Sequence, residues 1–272
     1  MMDNASLKVF LKGFSDQFEK FCSSYNPAGK VERGSWEIPI GKIEVTTFRG
    51  ELFEKASAIY CDIVIDTPLE AAEKSGKKES WADAQLLEMD LRGKFQVLEM
   101  NLFPVNPFIP KAYIELRTNV TKTVELAGGT DIFPYFADEE DVAFFAEGMK
   151  ELCKRHGKSY EELQKARADF FVSKFRKTKV GSHAGIYSFH LEEEDFPFFN
   201  DMAGTFFKLY TAIVEKRKGT PFTAGDTELK EKIHGMWAEW VMVEDIGTRF
   251  GLETGMPPEA LLGSILPPRA AF

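Results

Sequence analysis

"VNPFIPKAYIELRTN" (Val105–Asn119) and, a few residues later, "AGGTDIFPYF" (Ala127–Phe136) decide how this chain is read. The first is a strand-type run introduced by Pro107 and Pro110 and ending on one arginine, Arg117. The second sets one aspartate, Asp131, behind the pair Gly128-Gly129 and inside Ile, Phe, Pro and Tyr. An Arg and an Asp framed in this way fit a plain salt bridge near a loop. They equally fit a pair that handles a buried ligand, with Asp131 as ion partner or proton acceptor.

Upstream, residues 35–66 are rich in β-branched and aromatic residues and are cut by Gly41 and Gly50, which predicts two or three strands. Residues 82–104 read as a hairpin turning at Arg92-Gly93-Lys94, with Leu87, Met89 and Leu91 on one arm and Leu98, Met100 and Leu102 on the other. The strand Ala112–Val120 follows directly, so the middle of the chain is an antiparallel meander. Helical spacing governs residues 5–22, where Leu7, Phe10, Leu11, Phe14, Phe18 and Phe21 recur on one face. It returns from 138 to Gly157 and again through "SYEELQKARADFFVSKFRK", where Ser159 and Glu162 have capping-box spacing. "GIYSFHL" reads as a strand, residues 193–217 and 226–235 as helices, and "MWAEWVMVEDIGTRFGLETG" (Met236–Gly255) as a further strand pair. Strands come in runs and helices in runs, which predicts an α+β fold with an antiparallel sheet, in one domain over residues 1–272.

The 272 residues suffice for a core that needs no covalent staples. A net charge of −9 without a basic block argues against a nucleic-acid partner. The odd count of cysteines, Cys22, Cys61 and Cys153, reads as reduced thiols in a cytoplasmic protein. Neither a signal-peptide apolar stretch nor a run long enough to span a membrane is present. Twenty-five phenylalanines supply mostly core, but flat rings also suit a pocket for a large flat ligand. The four histidines are scattered, without HExxH or paired cysteines, so no metal is expected. Dinucleotide-binding, P-loop and nucleophile-elbow patterns are also missing.

Taken together, "FPVNPFIPKAYIELR", "GGTDIFPYF", "SWEIP…GELFEKASAIYCDIV" and "EWVMVEDIGTRFGLETGMPPEALLGSILPPRAAF" resemble, in order, the anchors of the aerobic, oxygen-dependent coproporphyrinogen oxidases. The resemblance covers about residues 35–272. It implies a large antiparallel sheet covered by helices on both faces and a homodimer. It also implies cofactor-free chemistry, with dioxygen as co-substrate oxidising tetrapyrrole propionates to vinyl groups. On that likeness Asp131 would accept hydrogen bonds from pyrrole N–H groups, and Arg117 would hold a propionate. Asn106, Tyr113, Arg176 and Arg249 stand at motif positions that would contact substrate. The chain departs from the pattern at Phe103, Tyr113, Phe144, Ala146 and Phe175, where the family has histidines, and at Val180, Met236 and Ile246, where it has arginines. A ligand with fewer carboxylates is the corresponding expectation, with a bilin or porphyrin reductase and a tetrapyrrole carrier as the alternatives on this scaffold.

Overall fold

Residues 2–65, 92–136, 139–182 and 184–272 are described in the computed structural model. Among them, one seven-stranded sheet runs in chain order from β1 (Lys30–Ile38) through β2 (Gly41–Arg49), β3 (Phe53–Ile65), β4 (Gly93–Pro104), β5 (Lys111–Val120) and β6 (Val124–Phe133) to β7 (Ile186–Glu192). Every neighbouring pair is antiparallel. The helices are α1 (Asn4–Tyr25), α2 (Glu139–Arg155), α3 (Tyr160–Phe170), α4 (Phe196–Arg217), α5 (Ala224–Val243), α6 (Ile246–Glu253) and α7 (Pro258–Ile265). Among the described residues, the long β6–β7 connection carries α2 and α3.

Strand β5 shows why the sheet has two different sides. Side chains alternate across a strand, so Ala112, Ile114 and Leu116 turn to one face and Lys111, Tyr113, Glu115 and Arg117 to the other. The first set joins a core with Leu98, Met100 and Leu102 of β4 and with buried residues of α1, α2 and α4, among them Leu11, Phe145 and Phe206. The opposite face holds a second core in which Ile59, Phe95 and Tyr113 meet Phe171, Trp237, Trp240 and Leu261. A strand covered on both faces normally reads as a continuous apolar run. Here one of its two buried faces carries Lys, Tyr, Glu and Arg, and that polar stripe marks the site.

The helices begin where local chemistry starts them. The Asp3 carboxylate accepts from Ser6 N at 2.8 Å, and Ser159 Oγ accepts from Glu162 N at 3.2 Å, so each caps the first turn of α1 and α3. Thr223 and Asp226 form a reciprocal capping box at the start of α5. Helix α2 places Glu139, Glu140 and Asp141 in its first turn and Lys154 and Arg155 in its last, matching the helix dipole at both ends. Asp141 is buried and receives Lys216 Nζ and Arg217 Nε, both at 2.7 Å, which fastens α2 to the end of α4.

The α+β class, the meander and the helices on both sides match the sequence reading, and residues 35–65 hold three strands. The expected strand pair at 236–255 is instead the end of α5 followed by α6. Trp237, Trp240 and Val241 are buried at helical spacing there, so the 3.6-residue period outweighs the β propensity of Trp and Val. Helix α3 ends at Phe170, after which a Val172–Lys179 bridge closes a turn. Gly128, Gly129 and Asp131 lie within β6, not in a loop. The first arm of the expected hairpin, with Leu87, Met89 and Leu91, lies outside the described residues.

Leu11 of α1 is fully buried against the sheet. Leu11→Ala is expected to lower stability by about 3 kcal/mol through lost burial and a residual cavity. Urea denaturation checks this, with a lower midpoint at unchanged slope as the expected result.

Candidate functional site

The polar stripe of β5 opens onto a cavity of about 450 Å³ between the sheet and α5–α7. Its walls are mainly apolar, with Phe170, Phe171, Trp237 and Trp240 opposite Ile59, Phe95 and Val97. The rings are ordered against one another. Phe171 lies 4.5 Å from Trp240 between centroids and stacks on Trp237 at an interplanar angle of 10°. Phe170 stacks on Tyr187 at 12°, and half-exposed Phe189 lies beside them as part of the same lining. Such walls suit a flat, largely apolar molecule.

Among the described residues, four charged side chains line this space, Glu99, Glu115, Arg117 and Asp245. Glu99 and Glu115 are cross-strand partners in the β4–β5 register, so their side chains share one face. Asn101 Nδ2 donates to Glu99 Oε1 at 2.7 Å, and Tyr187 Oη donates to Glu115 Oε2 at 3.2 Å. Arg117 reaches Glu115 only at 4.0 Å, with a quarter of its side chain still accessible. Asp245 caps α6 and accepts from Thr248 N at 2.8 Å and Thr248 Oγ1 at 2.6 Å.

Burial raises the pKa of all three carboxyls. Glu99 is pushed up to about 8, first by burial and then by the Glu115 charge opposite it. The same environment pushes the Cys61 thiol up to about 12.

Beside the cavity, Asp131 is fully buried and faces a fully buried Arg167 at 3.3 Å. Its Oδ1 also accepts from Ser182 Oγ at 2.7 Å and from the Gly185 N at 2.9 Å. Only glycine permits that approach, because a Cβ at 185 would stand 1.8 Å from the Thr130 carbonyl. Arg167 lies 3.2 Å over the Phe171 ring centroid and 5.3 Å from those of Tyr113 and Phe133. Lys111 is enclosed in the same aromatic box, 3.4 Å from the Trp237 centroid and 4.0 Å from that of Phe133, and burial holds its pKa well below the usual lysine value.

The residues singled out from the sequence therefore separate. Arg117 and Tyr113 line the cavity, and Asp131 does not. Asp131 stands opposite Tyr113 and Arg117 opposite Ala127, which places their backbones about 13 Å apart along the strands. Asn106 donates to Thr220 O at 2.8 Å and Arg217 O at 3.3 Å, tying the β4–β5 loop to the end of α4. Exposed Arg176 makes two 2.6 Å bonds to Glu239, and Arg249 contacts Glu253 at 3.0 Å; neither lines the cavity. Glu99, Glu115, Asp245, Arg167 and Lys111 were not picked out from the sequence. The available signal was a charge alternating with apolar residues inside strands, as in "VLEMNLF" and "YIELR". Among the described residues no group of three or more His, Cys, Asp or Glu side chains could hold a metal ion.

The family model described as Coproporphyrinogen III oxidase matches residues 6–272, which include every element that walls the cavity. The chain belongs to the coproporphyrinogen III oxidase family. It is 30% identical over 264 residues to the oxygen-dependent coproporphyrinogen-III oxidase of Rickettsia bellii (strain OSU 85-389), covering 92% of this chain and 90% of that protein. The enzyme of the same name from Rickettsia rickettsii (strain Sheila Smith) is 30% identical over 270 residues, covering 94% and 92%. The chloroplastic enzyme of Hordeum vulgare is 32% identical over 236 residues, covering 79% of this chain and 59% of that protein.

The Glu99 carboxyl makes stability depend on pH in a definite direction. Its folded pKa, about 8, lies above its ordinary value of 4.5, so its contribution is complete below about pH 4.5 and is lost as pH rises through 8. Glu115, Asp245, Lys111 and Cys61 face the same group and titrate against it. Thermal melts are expected to show Tm falling from about pH 5 to 8 in the wild type and a clearly flatter profile in Glu99→Gln. Parallel profiles would show that Glu99 is not the proton carrier.

Proposed function

We propose that this chain is a coproporphyrinogen oxidase-like oxidoreductase that converts tetrapyrrole propionates to vinyl groups with dioxygen. The observation that carries this is the full-length family match, together with an aromatic cavity on the sheet face lined by Arg117. Arg117 is the cavity-lining cation, and we assign it the propionate of the substrate, which would replace the loose 4.0 Å contact to Glu115. The stacked rings of Phe171, Trp237 and Trp240 would lie against the macrocycle and keep water from the reacting side chain.

Each ionised propionate gives up carbon dioxide, one proton and two electrons to become vinyl. Two such steps supply the four electrons that reduce one dioxygen to two waters. The protein's part is to hold the carboxylate, exclude water and accept the proton. Glu115, on the cavity face beside Arg117, is the acceptor we assign within the cavity, while Glu99, held protonated by burial, stands opposite it. Asp131 is assigned a positioning role, holding Arg167, Ser182 and Gly185 beside the Tyr113 wall. Tyr113 forms part of the binding surface, while Asn106, Arg176 and Arg249 act away from it.

One folding unit, a homodimer and a cytoplasmic location complete the proposal. No helix among the described residues is long and apolar enough to cross a membrane, and half-exposed Phe144 and Phe189 leave apolar surface for a second copy.

Coproporphyrinogen, prepared under reducing conditions and then exposed to air with the purified protein, is expected to yield a vinyl-bearing product and carbon dioxide. Arg117→Leu should lower kcat/KM by at least about tenfold, mainly through KM, because a charge-assisted bond to substrate is lost. A folded wild-type protein that releases no carbon dioxide from any propionate-bearing porphyrinogen would contradict the proposed activity.

A further inference from the structure

Between α3 and β7 the chain makes a turn, residues 171–180, whose charge is opposite to that of the whole protein. It carries Lys174, Arg176, Lys177 and Lys179 and no acidic residue, in a chain of net charge −9. Its frame is fixed from within and from α5. Val180 N donates to Phe171 O at 2.9 Å, Ser173 N to Thr178 O at 3.0 Å, and Lys177 N to Ser173 O at 2.8 Å. The Glu244 carboxylate, at the C-terminal cap of α5, accepts from Ser173 Oγ and Lys174 N, both at 2.6 Å, and Arg176 holds Glu239. This frame keeps an aromatic ring in water. Phe175 is 73% exposed, Val172 is exposed on the same turn, and Met242 and Val243 are exposed between the two anchor residues of α5. Glu239, Met242 and Val243 share a helix face, so Arg176 fastens the turn beside those two side chains. Single exposed apolar residues are ordinary, but several on one supported surface mark an interaction site. Arg176 is paired, whereas Lys174, Lys177 and Lys179 form no ion pair among the described residues, so their charge is available to an anionic partner.

We propose that the 172–179 turn and the end of α5 dock this protein on an anionic lipid bilayer, with Phe175 entering the interface and Lys174, Lys177 and Lys179 on the headgroups. A lipid interface receives a ring held out on a turn without needing a socket shaped to match it. Lysines on flexible stems reach phosphate headgroups in many arrangements, and each adds to the attraction. The negative charge carried by the rest of the chain repels its other faces from the same lipid, which sets the orientation with this turn toward the bilayer. The surface also lies at the rim of the cavity. Phe170 and Phe171, where the turn begins, and Val241, next to Met242, all line that space. Docked in this way, the rim faces the interface, and a flat apolar ligand moves between bilayer and cavity along apolar side chains. The docking itself does not depend on the activity proposed above.

Vesicle co-sedimentation tests this, with phosphatidylcholine alone and with phosphatidylglycerol added. Wild-type protein is expected to bind the anionic vesicles at least about tenfold more tightly, and to lose most of that preference at about 0.5 M salt. Phe175→Ser should weaken binding by about fivefold or more. Lys174→Glu/Lys177→Glu/Lys179→Glu should abolish the preference for anionic lipid. Tryptic cleavage after Lys174, Lys177 and Lys179 of the wild type should slow when anionic vesicles are added, a readout that needs no variant to fold. Wild-type protein that ignores anionic vesicles, or is cleaved equally fast in their presence, would overturn the inference. So would a folded Phe175→Ser protein that binds as the wild type does. A smaller assembly in Phe175→Ser than in the wild type, read by light scattering, would assign the turn to a second copy and overturn it too. Turnover is read separately. A chain that docks but releases no carbon dioxide contradicts the proposed activity alone, and one that turns over without docking contradicts this inference alone.

Discussion

A buried ion pair holds the cavity side of this fold in place. Arg167, at the last turn of α3, and Asp131, in β6, are both fully inaccessible to water and face each other at 3.3 Å. Around them Phe171, Tyr113 and Phe133 cover the guanidinium, while Ser182 and Gly185 donate to the carboxylate. Such a pair gains little over an apolar filling of the same shape, but removing one partner leaves a buried charge and is strongly destabilising. Its consequence is conformational. It joins the last turn of α3 to β6, with Ser182 and Gly185 bonded to the same carboxylate and Phe171, the residue after α3, packed against Trp237 and Trp240.

The cavity follows from that arrangement. Because α3 ends at Phe170, Phe170 and Phe171 turn toward α5 and form one wall, and the polar stripe of β5 forms the facing one. Burial raises Glu99, Glu115 and Asp245 together, so this side of the cavity carries less negative charge than three solvated carboxylates would. Asp131 is not part of the lining and faces Arg167 beside it.

Most of the architecture was legible in the sequence because it rests on local signals. Strand runs punctuated by glycine, the capping residue Ser159, and the apolar face of α1 each act within a few residues of themselves. The region 236–255 was misread because Trp and Val favour strands, whereas the burial of Trp237, Trp240 and Val241 on one helical face is a tertiary fact. The site was legible in part. Arg117 and Tyr113 were visible through the motif that contains them. The partner of Asp131 was not, since Arg167 lies on a helix whose charged residues all read alike, and only the fold shows that this one is buried. Glu99 and Glu115 were hidden for a related reason. Their pairing depends on the β4–β5 register, and that register follows from strand boundaries that the sequence leaves loose.

The most direct test of this account is a double-mutant cycle on Asp131 and Arg167, read by urea denaturation. Asp131→Asn alone is expected to lose about 3–5 kcal/mol because it strands a buried guanidinium. Combining it with Arg167→Met should recover most of that loss, giving a coupling energy of about 2 kcal/mol or more. Additive losses, with the double variant no more stable than the sum of the singles predicts, would contradict the claim that this pair organises the cavity.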